Sequence, residues 1–164
     1  MGNVDDVQNY GAKYDNQLKR LRSAHIPEAD REAIQSFIRH EDVSGQKGTG
    51  TIISHLNRLR LSSERWDRPI TEVEGPDELD DLRFILKHDH GMSEGTIRNY
   101  EKAWRVFYTW RDEEWAEDVR IRPSPKREVD PNKLLTEDDI DSLLETAGNS
   151  RDKAAIALLA DTGL

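Results

Sequence analysis

Cysteine is absent from the 164-residue sequence, which excludes disulfides, thiolate catalysis and cysteine-ligated zinc at once. A run of about 18 apolar residues is also missing, and no charged-then-apolar leader follows Met1. Neither a membrane span nor a secretory signal is therefore expected, and the chain reads as intracellular and cytoplasmic. No segment of useful length alternates apolar and polar residues with the period of a strand. What the sequence does hold is charge and helical periodicity. Hydrophobic and charged residues each make up 35%, a polar mix for a globular protein, yet one too rich in Trp, Leu and Ile for disorder throughout. The expected fold class is all-α with a modest core.

A global excess of positive charge is lacking too. The formal net charge is -9, which taken alone argues against nucleic acid, since phosphate binding is driven mainly by Lys and Arg. The distribution is uneven, however. Lys47, Arg58, Arg60, Arg65 and Arg68 face only Glu64 and Asp67 over the same stretch, and Arg120, Arg122, Lys126 and Arg127 face no acid at all. Acidic residues cluster elsewhere, as Asp5-Asp6, Glu113-Glu114 and Asp138-Asp139, and Arg outnumbers Lys 16 to 8. That balance suits solubility in concentrated salt and points to a halophilic source.

Helical spacing runs along most of the chain. Val4, Val7, Gly11, Tyr14, Leu18 and Leu21 form a heptad-like seam, read either as an amphipathic helix docked on its own domain or as one that packs on a partner protomer. Pro27 opens a second helix with Ala33, Ile34, Phe37 and Ile38 on one face, broken by the glycines of SGQKGTG. A third helix buries Ile52, Leu56, Leu59 and Trp66 and turns Arg58, Arg60 and Arg65 largely elsewhere. A fourth, built from Leu79, Leu82, Phe84, Ile85 and Leu86, ends before Gly91. Ser93 caps a fifth, whose apolar face is Ile97, Tyr100, Trp104 and Phe107. The three prolines of DVRIRPSPKREVDPNK forbid a continuous helix and mark an extended linker. Thr136, with Glu137, Asp138 and Asp139, starts a capped helix, and RDKAAIALLADTGL closes the chain as a buried apolar helix running into a turn at Gly163.

Two motifs fail their spacing tests. GQKGTGT, residues 45–51, is glycine-rich before a helix, but Lys47 precedes Gly48 and no strand leads into it, so it is no nucleotide-binding loop. His88-Asp89-His90 fits a solvated helix end better than a metal site. A third motif is an internal echo: GTIISHLNRLR begins at Gly50 and GTIRNYEKAWR at Gly95, so that Thr51 matches Thr96, Ile52 matches Ile97 and Arg60 matches Arg105. Two helices start alike.

The second copy lies within GMSEGTIRNYEKAWRVFYTW, where Ser93, Thr96, Tyr100, Trp104, Phe107 and Trp110 fall in the order Ser-x-x-Thr-x-x-x-Tyr-x-x-x-aromatic-x-x-Phe-x-x-Trp. This resembles the core-binding domain of tyrosine recombinases, the phage integrase family. GTGTIISHL is similar to the family's preceding helix start, with His55 in place of the usual aromatic residue. KLLTEDDIDSLLETAGNSRDKAAIALLADTGL resembles the opening of the family's catalytic domain, from Leu-Thr-x-x-Glu/Asp-Ile to Thr-Gly-Leu. The likeness spans residues 31–164 and is stronger in the last seventy or so.

The resemblance implies a SAM-like helical bundle at 27–117 and the start of a catalytic domain at 134–164, while spacing and composition place an N-terminal amphipathic helix at 1–25 and a basic proline-rich linker at 118–133. It implies double-stranded DNA as the partner, with other recombinase protomers on the same DNA, and no cofactor, metal, membrane or small-molecule substrate. The implied contact surface is the pair of echoed helices, with Lys47, Thr49, His55 and Arg58 from one and Thr96, Arg98, Asn99, Lys102 and Arg105 from the other. Arg120, Arg122, Lys126 and Arg127 would track phosphates along the linker. In the family the first catalytic Arg directly follows Thr-Gly-Leu, one residue past Leu164, and the Tyr nucleophile lies farther on. Tyr108, within the core-binding helix, is not that nucleophile, and the 164 residues are expected to hold DNA without cutting it. The competing reading is an acidic helical module for protein-protein interaction, with the seam from Val4 to Leu21 as its partner surface.

Overall fold

The computed structural model of the chain describes residues 9–124 and 135–162. Among these, every regular element is helical, with no strand, and no helix is long and apolar enough to cross a membrane. The chain divides into two units, the first ending at Pro125 and the second beginning at Lys126.

The first unit contains α1 (Tyr10–Ser23), α2 (Glu28–Ser44), α3 (Thr49–Arg65), α4 (Leu79–His88) and α5 (Glu94–Trp110), with single 3-10 turns at Ile70–Glu72, Pro76–Glu78 and Ala116–Asp118. Local chemistry sets the boundaries. Pro27, with φ of -53°, sits at the N-cap of α2, where a missing N–H costs nothing. The helix stops at Gly45, whose φ of +64° few side chains tolerate. The Ser93 side chain accepts from Thr96 N at 3.2 Å and caps α5.

α3 is the hub, packed against α1, α2, α4 and α5. Its Ile52, Leu56 and Leu59 meet Ile34, Phe37 and Ile38 of α2 and Ile97, Tyr100, Trp104 and Phe107 of α5 in one core cluster, each full burial contributing roughly 1.5–3 kcal/mol. Phe37 and Phe107 meet edge to face at 5.5 Å. Several polar groups inside are paired. Trp104 Nε1 donates to Ser62 Oγ at 2.8 Å, and Tyr108 donates to the Ile70 carbonyl at 2.9 Å. Fully buried Asp30 accepts from Ser63, from Ile70 N at 3.0 Å, and from Thr71 N and Oγ1 at 3.0 and 2.7 Å. The loop after α3 is thereby pinned to α2.

Several expectations need correction. Arg60 is not on the open side of α3: it is 7% exposed, with Nη1 donating to Glu64 at 2.6 Å and Nη2 to Asn57 at 2.9 Å. Phe84 is 61% exposed and lies on the His88 ring at 4.4 Å, because Leu79, Leu82 and Leu86 take the buried face of α4. The expected linker does not begin at 118. Asp118 ends a 3-10 turn, Val119 is fully buried, and Arg122 N donates to Glu101 at 2.8 Å, so this strap belongs to the first unit. Of the N-terminal seam, Tyr14, Leu18 and Leu21 pack into the same core, which is the docked reading; Val4 and Val7 lie outside the described residues.

The second unit holds α6 (Glu137–Thr146) and α7 (Ser150–Thr162), packed on each other. Thr136 and Asp139 form a reciprocal capping box, as its sequence predicts. α7 is not the buried helix its composition suggests: Leu158 and Leu159 are 64% and 51% exposed, because only one side of it meets α6. Gly163 and Leu164 lie outside the described residues.

Candidate nucleic-acid interface

The two echoed helices are neighbours. Ser62 of α3 meets Trp104 of α5, and Arg65, one turn on, meets Tyr100 at 3.1 Å. The helices therefore run in opposite directions, side by side. Between them opens a cleft of about 240 Å³, lined by Thr51, Ser54, His55 and Arg58 from α3 and Asn99 and Lys102 from α5, with Gly50 at its end. Helical spacing explains the α3 contribution, since residues 51, 54, 55 and 58 share one face.

Arg58 is half-buried and Lys102 exposed, and neither side chain has a carboxylate partner among the described residues. Burial lowers the Arg58 guanidinium from its ordinary pKa, with nearby Tyr100 opposing; an arginine starts so high that it stays charged. His55 is 8% exposed, and its Nδ1 lies 3.0 Å from Glu41 Oε2. Burial pushes its pKa down, Glu41 opposes, and the charges of Lys47 and Arg58 add to the lowering. Lys47 itself is ion-paired to Glu41 at 2.8 Å.

The other candidates fall elsewhere. Thr49 is exposed in the first turn of α3, which no side chain caps. The Thr96 hydroxyl is 3.0 Å from Ser93 Oγ. Arg98 donates from Nε to the Arg122 carbonyl at 2.8 Å, and Arg105 donates to that of Val119, so both grip the strap. Arg122 pairs with Glu94 and, at 3.1 Å, with Glu101. Arg120 borders a separate cleft among Asp77, Asp80 and Asp118. Lys126 and Arg127 lie outside the described residues. Among the described residues no cluster of His, Asp or Glu is able to hold a metal ion.

Two residues, one lining the cleft and one behind it, escape a reading by motif. Ser54 was within reach, being one helical turn from both Thr51 and Arg58. Glu41 was not: it acts on His55 from another helix, and nothing in its neighbourhood signals that pairing.

Comparison with known protein families, characterised proteins and solved structures finds no match to this chain. A functional reading rests on the residues themselves.

Proposed function

We propose that this chain is the DNA-binding amino-terminal part of a site-specific recombinase of the tyrosine class. Its first unit would be a SAM-like core-binding bundle and its second the start of the catalytic domain. In this reading the chain grips duplex DNA, alone or beside other protomers on the same duplex, and does not cut it. The observation that carries the proposal is the cleft between α3 and α5, where Arg58 and Lys102, far apart in sequence, stand together without carboxylate partners. Unpaired cations flanked by Thr51, Ser54 and Asn99 have the chemistry to take phosphate oxygens and base edges. Arg122 is ion-paired within the protein, and Arg98 and Arg105 donate to carbonyls of the strap, so these three serve to hold the surface rather than to form it. A photo-crosslinking residue placed at Ser54 should label a radioactive duplex, and one placed at Glu114, in a different cleft, should not. Equal labelling from both positions, or none, would overturn the assignment.

A further inference from the structure

Beneath the cleft lies a buried pair contributed by two helices. Glu41, near the end of α2, is 6% exposed; its Oε1 accepts from Lys47 at 2.8 Å and its Oε2 lies 3.0 Å from His55 Nδ1. A carboxylate paired to a lysine has only lone pairs to offer, so Nδ1 carries the proton. The Phe37 ring stacks against the imidazole at 6.1 Å. The remaining ring nitrogen, Nε2, has no hydrogen-bond partner among the described residues, is not among the unpaired polar atoms sealed inside the protein, and His55 lines the cleft.

We propose that Glu41 is a positioning residue, and that His55 Nε2, held as an acceptor in the cleft that Arg58 and Lys102 also line, reads a hydrogen-bond donor on the duplex: the exocyclic amino group of an adenine or cytosine. This rests on the duplex-binding reading above. Phosphate oxygens are themselves acceptors and gain nothing from a second lone pair, so the flanking cations take the backbone while Nε2 selects for the N–H of a base edge. The charged groups around the ring are Glu41 from α2, Lys47 from the loop before α3, Arg58 from α3 and, across the cleft, Lys102 from α5. Burial together with Lys47 and Arg58 outweighs Glu41 and lowers the pKa of the ring, which keeps it an acceptor at neutral pH. Acid reverses the role. A protonated ring presents Nε2–H, which suits any phosphate, so lowering the pH should strengthen binding to every duplex and erode preference among them.

The test begins with duplexes selected from a random pool by the full chain at about pH 7.5. At one adenine or cytosine, replacing the amino group by hydrogen should weaken binding about tenfold, and that penalty should shrink as the pH is lowered and be absent in His55→Phe. Because His55→Phe alters a buried site, nitrogen-15 NMR of the unaltered chain supplies an independent reading. The free ring should be neutral with its proton on Nδ1, and the Nε2 resonance should shift when a selected duplex is added. Glu41→Ala should shift the proton partly to Nε2 and reduce the tenfold preference while unselected duplex is still retained. Duplex binding in which no amino group matters, or a ring with its proton on Nε2, would overturn the inference and leave the duplex reading standing. Failure to retain any duplex would overturn both.

Discussion

Among single residues, those that fix the position of α3 against α5 carry the largest expected effects. Trp104 is 1% exposed and donates to Ser62, so Trp104→Ala removes both a large apolar body and a buried bond. The expected loss is about 3–5 kcal/mol, read as a lower urea midpoint; a midpoint equal to the parent's would place Trp104 outside the core. His55 gives the stability a pH dependence of definite sign. Its folded pKa lies below the unfolded value of ~6.5, chiefly because burial disfavours the charged ring. The unfolded chain therefore binds the proton first as the pH drops. The stability associated with a neutral His55 is intact above about pH 6.5 and declines below it, down to the folded pKa. Melting temperatures at about pH 7.5 and 5.5 should differ more for the parent than for His55→Gln; an equal drop in both would place the acid sensitivity elsewhere.

Helices are the scale at which the sequence was most legible. Apolar residues at spacings of three and four fixed the phase of α2, α3 and α5 correctly, and the caps at Ser93 and Thr136 are local chemistry, settled within four residues. What was not legible depends on partners distant in the chain. An arginine's charge does not reveal that a carbonyl from another segment will meet it, which is why the part Arg98 and Arg105 take in holding the strap was not legible. Apolar composition likewise left open how much of α7 would find a neighbour, and the pinning of the loop by Asp30 spans 40 residues of sequence to Ile70. Helix ends give a compact check. Gly45 and Gly48 both have open space where a Cβ would sit, but only Gly45 has positive φ. Gly45→Ala should cost about 1 kcal/mol through backbone strain alone, and Gly48→Ala, at a φ of -68°, should cost little. Equal losses in thermal unfolding would show that space, and not backbone conformation, governs this turn.

At the scale of the whole molecule, a net charge of -9 stands against a cleft that offers two unpaired cations. Distance decides which prevails. At about 0.15 M salt the Debye length is about 8 Å, so carboxylates remote from the cleft are largely screened from a duplex seated on it, while Arg58 and Lys102 are in contact. Each phosphate neutralised adds about -0.9 to the slope of log K against log salt. The central claim, that the cleft between α3 and α5 binds duplex DNA through these cations, is tested most directly by that slope. Arg58→Ala combined with Lys102→Ala should flatten it by about two units, and Glu74→Gln combined with Glu114→Gln, at residues that line a different cleft, should leave it unchanged. A parent chain that retains no duplex at low salt, or a slope that the glutamate pair alters and the cation pair does not, would contradict the account.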